Sequence, residues 1–534
     1  MSEVPWTVGR YVVEILAANG IDTVFGIPGV HTLELYRGIA AAGVRHILVR
    51  HEQNAGFAAD GYARAGGKPA AAFVISGPGL TNILTAMAQA YSDSVPMIVV
   101  ASTPARASLG KGWGVLHELH DQHAVAAGAA GMARTALAAP DVRDHLRALL
   151  AELQLERRRP LYLGIPLDLL AEPTTLRPER FARLPCAAPL SVESISEAVE
   201  LLDSAERPLI VAGGGARSAG DELGKLAEAV DGYVVTTAAG KGVIPESHPA
   251  NLGASLPFRE VQELMAAADV VLAVGTELSE TDLYTTTHLP MTGRLIRIDT
   301  DRSKLSDQYA ADVAIEGDAR ATLAAITNAT VVRPGWRTEA GPAAAHRRQI
   351  EQRFGVAAQA AVRALGAIRA ALPFDGVVCT DMTQIAYLGN YAFPADRPGV
   401  WFLPSGYGAP GYALPAAIGA KIACPERAVV ALAGDFGLQF TSQELMTAVE
   451  LELSLPIVVW NNSALGRIRD DMQAAGIAPP RVAARNPDFP ALAHACGAAG
   501  VRARGPGELT EALQMALRRA GPTLLEVVDT DFVI

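Results

Sequence analysis

The chain has 534 residues, half of them hydrophobic and 19% charged, with a net charge of −11; this is too long for one core and predicts about three domains of ordinary size. The acidic balance, without any Lys/Arg run, leaves no electrostatic footprint for nucleic acid, and no uncharged apolar run reaches the ~20 residues needed to span a bilayer. Cys186, Cys379, Cys424 and Cys496 form neither a disulfide framework nor a metal-ligand spacing, and the amphipathic N-terminus MSEVPWTVGRYVVEILAANG lacks the pattern of a signal peptide, so the expectation is a soluble, cytoplasmic protein with free buried thiols.

Residues 1–180 alternate helical and strand patterns. A helix over Val8 to Asn19 leads to a strand at Thr23 to Phe25 and the turn GIPG; after a second helix, a strand over His46 to Val49 ends at His51-Glu52. An Ala-rich helix then runs from Asn54 to Ala65, Ala70 to Ser76 is a buried strand, and GPG opens another helix before the strand Met97 to Ala101. This rhythm predicts an α/β domain with a parallel sheet.

The Pro- and Arg-containing stretch Pro173 to Pro189 reads as a linker to a second α/β unit over 190–335. Its strands are placed at Leu209 to Ala212, Tyr233 to Thr236, Val270 to Val274 and Leu295 to Asp299. GGGA after the first of them sits where a dinucleotide phosphate would lie, but it lacks the full glycine fingerprint, so FAD is not expected there. The stretch Val331 to Ala345 connects to the third unit, 350–534. The predicted fold class is therefore α/β, with three doubly wound parallel-sheet domains.

The third unit carries the densest signal, from Gly434 to Met472. A buried strand over Val429 to Leu432 runs into a glycine turn with Asp435; a helix is predicted from Ser442 to Leu453, and the strand Leu455 to Trp460 ends in Asn461-Asn462. Neighbouring parallel strands end on the same sheet edge, where ligands bind. Asp435 and Asn462 are therefore expected to meet there, offering with a nearby backbone carbonyl the hard oxygen ligands that suit Mg2+. Each residue alone is also an ordinary turn-former at a strand end.

This stretch resembles the diphosphate-binding motif of thiamine-diphosphate (ThDP) enzymes, which opens Gly-Asp-Gly and closes Asn-Asn. The resemblance makes Asp435, Asn462 and the carbonyl of Ala464 the Mg2+ ligands. It also places the cofactor against Gly434, Asp435, Phe436, Gly437, Leu465 and Gly466, with Gly408 and Pro410 of SGYGAPGYALPAAIGAK. Phe436 departs from the second glycine of Gly-Asp-Gly, and Pro410 stands where acetolactate synthases carry a methionine that bends the cofactor.

HEQNAGFAADGYARAGGKPAAAFVISGPGLTN resembles the pyrimidine-binding domain of the same enzymes, and RLIRIDTDRSKLSDQYAADVAIEGDA the end of their middle domain. Glu52 is then assigned to the aminopyrimidine N1′, where a carboxylate within hydrogen-bond reach serves the proton relay that activates the cofactor. In the acetolactate synthase and 2-oxoacid decarboxylase branch the two cofactor-binding domains come from different subunits. A homodimer is thus the implied minimum, and a homotetramer is compatible.

Departures within this frame bear on the substrate. His31 in GIPGVHTLELY falls where benzaldehyde lyase has an active-site histidine, and it is expected either to reach a substrate carbonyl or carboxylate or to cap the following helix. His117 in LHELHDQ stands where relatives carry an active-site glutamine, while His120 is ambiguous. Asp471 in ALGRIRDDM replaces the pocket tryptophan of acetolactate synthases. A carboxylate in a largely apolar pocket needs a cation, and a substrate guanidinium would pair with it bidentately; otherwise it lies on a solvated helix face beside Arg467 or Arg469. GIPGVHTLELYRG, GDFGLQFTSQEL and NNSALGRIRDDM together look most like the 2-ketoarginine (5-guanidino-2-oxopentanoate) decarboxylases, which implies release of CO2 to give 4-guanidinobutanal. The alternatives are a carboligase or lyase acting on 2-hydroxyketones and a non-catalytic paralogue that retains the fold.

Overall fold

The computed structural model describes residues 5–155, 157–182, 189–283, 286–483 and 485–533; Cys186 lies outside them, with the linker residues around it. The other three cysteines are free, and Cys379 is fully buried. Among the described residues no helix is long and apolar enough to cross a membrane.

Three six-stranded sheets, all parallel, follow one another along the chain. The first contains β1 (Thr23–Gly26), β2 (Arg45–Leu48), β3 (Ala71–Val74), β4 (Ile98–Thr103), β5 (Met132–Thr135) and β6 (Leu161–Pro166). The second contains β7 (Pro208–Ala212), β8 (Tyr233–Thr236), β9 (Asn251–Gly253), β10 (Val270–Val274), β11 (Arg294–Asp299) and β12 (Val313–Glu316). The third contains β13 (Val377–Thr380), β14 (Trp401–Phe402), β15 (Val429–Gly434), β16 (Pro456–Asn461), β17 (Ala499–Ala503) and β18 (Thr523–Val528). Central strands such as β3, β4, β15 and β16 are buried along their whole length, as expected where helices cover both faces of a parallel sheet. Edge strands β2 and β17 are part-exposed.

The outer sheets share one strand order, β2-β1-β3-β4-β6-β5 and β14-β13-β15-β16-β18-β17. The middle sheet runs β12-β11-β10-β7-β8-β9, the doubly wound order of dinucleotide-binding folds.

One continuous apolar core joins the outer domains, holding Phe57 and Met87 together with Phe402, Tyr412 and Leu438. At its centre the helix Glu52–Gly66 crosses the helix Ala413–Ala423. A Cβ on Gly61 would overlap the carbonyl of Ala416, and one on Gly419 would overlap that of Ala58, so glycine is required at both positions for the backbones to touch. The helix carrying Glu52 at its first turn is thereby fixed to the domain carrying Asp435. Glu444, 1% exposed, reinforces the contact by accepting from the backbone N–H of Arg50 (2.7 Å) and Nδ2 of Asn54 (2.9 Å).

The helix expected over Ser442 to Leu453 is shorter, Glu444–Glu450, and a further short helix, Asp435–Thr441, precedes it. Asp435–Thr441 begins directly at the strand end, and the Asp435 carboxylate accepts the N–H of Phe436 in its first turn. The Ala-rich helix likewise starts at Glu52, earlier than the Asn54 expected, with the His51 ring accepting the N–H of Gln53 as its cap.

Candidate active site

Strands β15 and β16 are direct neighbours, with Gly434 opposite Trp460, so Asp435 and Asn461-Asn462 leave the sheet side by side. Asp435 is 3% exposed. Its Oδ1 accepts the N–H of Phe436 (3.0 Å) and its Oδ2 accepts from Asn486 Nδ2 (2.6 Å). Burial raises its pKa, opposed in part by the Asn486 hydrogen bond. Among the described residues no cation pairs with it.

Asn462 accepts the N–H of Ala464 on Oδ1 (3.1 Å) and donates from Nδ2 to Gln384 Oε1 (3.1 Å). Ser463 turns the chain with a left-handed φ of 51°. Leu465 N–H is held by the Val482 carbonyl (2.8 Å), and Gly466 opens the helix Gly466–Ala474. The donors that these adjacent strand ends offer, a buried carboxylate without a cation among the described residues, an amide oxygen and backbone carbonyls, are of the hard oxygen kind that fits a divalent ion. A buried charge left uncompensated is costly, and a bound cation relieves that cost.

Three supporting residues carry no motif and were not anticipated. Asn486 donates from Nδ2 both to Asp435 and to Asn461 Oδ1 (2.9 Å). Glu526, 3% exposed, accepts from Asn461 Nδ2 (2.7 Å) and pairs with Arg502. Asp381, at the end of β13, is 1% exposed and accepts the N–H groups of Met382 (2.8 Å) and Gly411 (2.9 Å); burial pushes its pKa up to about 6.

Asp381 also explains the glycine pattern of the turn. A Cβ on Gly437 would stand 2.7 Å from Asp381 Oδ2, so the steric demand for glycine falls on Gly437. Phe436 keeps its side chain half-buried while its N–H still serves Asp435.

The loop with Gly408 and Pro410 is clamped from the N-terminal domain. Asp93 Oδ1 accepts the N–H of Gly406 (2.8 Å) and the hydroxyl of Ser405 (3.3 Å), and its Oδ2 pairs with Arg64 (2.7 Å). Arg64 also pairs with Asp60, to which the Tyr412 hydroxyl donates. Gly408 (φ 70°) and Gly411 (φ 85°) take left-handed backbone that glycine favours, and Pro410 between them is half-buried.

On the N-terminal sheet Glu52 accepts from Asn82 Nδ2 (2.9 Å). His31 is not the cap of the following helix, where Thr32 holds the capping position. Its Nδ1 lies 2.6 Å from Ser76 Oγ, and its ring meets that of His117 edge-to-face at 4.8 Å. Burial, then the neighbouring His117, lowers the His31 pKa. The His117 backbone is left-handed (φ 63°), and its buried Nδ1 finds no hydrogen-bond partner among the described residues.

Gly77 permits this approach, since a Cβ there would stand 2.5 Å from the His117 carbonyl oxygen. The turn is held by Gln122, which accepts the N–H of Gly77 (3.1 Å), and by Ser102, which accepts that of Ser76 (3.0 Å). His120 is exposed. No hydrogen bond or ion pair among the described residues links Glu52, His31 or His117 to Asp435 or Asn462 within the chain.

Asp471 does not sit in apolar surroundings within the chain. Only Gly466 of its helix is buried, and Asp471, 54% exposed, pairs with Arg467 one turn back (2.8 Å). The acid turned toward the sheet edge is Asp470, which accepts from Gln384 Nε2 (2.9 Å). In the middle domain, the GGGA turn borders a cavity of about 710 Å³ that reaches Arg217, Asp299, Arg159 and the Ser405-Gly406 clamp. The incomplete glycine fingerprint gave no reason to expect so large a space.

Known families match all three units. The thiamine pyrophosphate enzyme N-terminal TPP binding domain matches residues 6–125, the central domain 195–326 and the C-terminal TPP binding domain 381–527. The chain is 47% identical to a probable 2-ketoarginine decarboxylase of Pseudomonas aeruginosa, covering 98% of this chain and 94% of that protein. It is 29% identical to the acetolactate synthase isozyme 1 large subunit of Escherichia coli (98% and 94% covered) and 30% identical to the isozyme 3 large subunit (97% and 93%). The chain therefore belongs to the thiamine pyrophosphate enzyme family.

Proposed function

We propose that this enzyme uses ThDP and Mg2+ to decarboxylate 2-ketoarginine, breaking its C1–C2 bond so that CO2 leaves and a proton takes its place, giving 4-guanidinobutanal. The observation that carries the substrate is the 47% identity, over nearly the whole of both chains, to a probable 2-ketoarginine decarboxylase. When bound, ThDP supplies the carbon nucleophile and the electron sink of the reaction.

Asp435, Asn462 Oδ1 and the Ala464 carbonyl hold the cation that ties down the diphosphate, and Gly408, Pro410, Gly434, Phe436, Gly437, Leu465 and Gly466 shape the groove around it. Glu52, oriented by Asn82, holds a proton at the aminopyrimidine N1′. The active unit is two copies, or a pair of such dimers, in which each chain supplies one half of the site; the similarity to acetolactate synthase large subunits supports this reading.

His31 and His117 face the reacting carboxylate and carbonyl. Burial, with His117 beside it, lowers the His31 pKa, so the imidazole stays neutral down into the ordinary histidine range. Neutral donors orient a carboxylate without stabilising its charge in the ground state, and only interactions favouring the transition state accelerate loss of CO2.

The test is turnover of 2-ketoarginine, pyruvate and phenylglyoxylate by purified protein with ThDP and Mg2+, followed by mass. Selective formation of 4-guanidinobutanal, lost in Glu52→Gln, is expected. A 2-hydroxyketone as the main product would move the enzyme to carboligation, and failure to bind ThDP with Mg2+ would make it a non-catalytic paralogue.

A further inference from the structure

We propose that Asp470 is a positioning residue of the metal site: acting through Gln384, it holds the –NH2 end of the Asn462 side-chain amide and so keeps the oxygen end for the cation. This rests on the reading of Asn462 as an oxygen ligand.

The two ends of an asparagine amide are nearly the same in shape but opposite in chemistry. Its oxygen can ligate a cation; its –NH2 group is a donor and cannot. Asn462 donates from Nδ2 to Gln384 Oε1 (3.1 Å). Gln384 is just as ambivalent as Asn462, so on its own it enforces nothing. Its Nε2, however, donates to Asp470 Oδ2 (2.9 Å), and an ionised carboxylate only accepts.

Polarity therefore propagates in one direction. Asp470 must receive Nε2, which turns Gln384 Oε1 toward Asn462. Asn462 must answer with Nδ2, which leaves Oδ1 to accept the Ala464 N–H (3.1 Å), so the amide is held in one sense from both of its ends. The second Asp470 oxygen is occupied by Arg469 Nε (3.0 Å).

The packing at Gly466 fits the same arrangement. A Cβ there would overlap Gln384 Oε1 and stand 2.7 Å from Asn462 Nδ2, so this glycine keeps open the space in which the two amides meet. Asp471, one residue on, pairs with Arg467 and takes no part in the chain of bonds.

The experiment is Mn2+ titration of the apo-enzyme at saturating ThDP, by calorimetry, with circular dichroism and melting temperature recorded for each variant. Asp470→Asn removes the acceptor-only end and is expected to weaken Mn2+ binding about 10- to 100-fold, the usual cost of losing an outer-shell partner. Asp470 is half exposed (48%), so the variant is expected to keep its fold. Combining Asp470→Asn with Gln384→Glu moves the acceptor-only group to the middle of the chain and restores its polarity, so Mn2+ affinity should return close to that of the parent. Unchanged affinity in the single variant, or no recovery in the double, overturns the proposal. Asn462→Ala separates it from the reading beneath it: if that variant loses Mn2+ while Asp470→Asn does not, only the positioning role fails, whereas if Asn462→Ala binds Mn2+ normally, the ligand assignment fails as well.

Discussion

Asn486 Nδ2 lies 2.6 Å from Asp435 Oδ2 and forms the one side-chain hydrogen bond recorded for that buried carboxylate among the described residues. No cation among the described residues joins it there, so Asp435 is held in place without a counter-charge. Asp435→Asn is therefore expected to raise the melting temperature of the metal-free protein by a few degrees, since replacing an unpaired buried charge with a neutral isostere removes a desolvation cost. The same variant should lose Mn2+ binding at saturating ThDP. Scanning calorimetry of the apo-protein checks the first effect and metal titration the second; a lower melting temperature together with intact metal binding would contradict both.

Asp93 couples the domains through charge rather than apolar packing. It pairs with Arg64 and accepts from Gly406 and Ser405, with its side chain 7% exposed and that of Arg64 6%. Asp93→Ala leaves Arg64 with Asp60 alone and strands two donors of the Gly408–Pro410 loop, so a loss of about 3–5 kcal/mol is expected from breaking a buried pair. ThDP affinity should fall with it, because the loosened loop borders the proposed cofactor groove. Denaturant melts and ThDP titration of the variant measure the two effects, and a stable variant with unaltered affinity would show that the clamp is dispensable.

The helix crossing makes a sharper stability prediction. Gly61→Ala and Gly419→Ala each push a methyl into a backbone carbonyl, which cannot rotate away as a side chain would. A loss of about 1–3 kcal/mol is expected for each, and less than additive loss in the double variant, because both relieve or strain the same contact. Gly366→Ala, where no atom lies within reach of the added Cβ, is the matched control in a helix of the same domain.

Much of this architecture was legible in the sequence because the central strands are apolar runs closed by small or polar residues: Ser76-Gly77, Ser102-Thr103, Gly434-Asp435 and Asn461-Asn462. β3, β4, β15 and β16 stand within a residue or two of where the pattern places them. The edge strand β2 was placed too, at His46 to Val49, but β14 and β17 were not: β14 has two residues and β17 is part-exposed, so neither shows a buried run. Asp435 and Asn462 were legible because a crossover between adjacent parallel strands must bring both to one edge. Asn486 and Glu526 were not, because they arrive from a loop and from β18, far along the chain, in no recurrent spacing. Asp471 was singled out from the sequence, yet it is Asp470 that meets Gln384; which of two adjacent acids does so depends on helix phase, and periodicity leaves that undecided in a helix with a single buried residue.

His31 gives the pH dependence its sign. Burial first and the adjacent His117 second lower its pKa beneath the ordinary 6.5. A depressed histidine favours folding in its neutral form, so this contribution is complete above pH 6.5 and is lost as pH falls through 6.5 toward the lowered value. The imidazole proposed to face the carboxylate stays neutral down to that lowered value, and the acid limb of kcat/KM should fall below pH 6.5. His117→Gln removes the second cause and leaves the first, so it should shift the His31 titration upward, toward 6.5 but not beyond it. The His31 resonance followed by NMR in both proteins, beside the kcat/KM profile, checks this directly. A His31 that titrates above 6.5 in the parent would show that the ring is charged at the working pH, and the substrate carboxylate would then meet an imidazolium rather than a neutral donor.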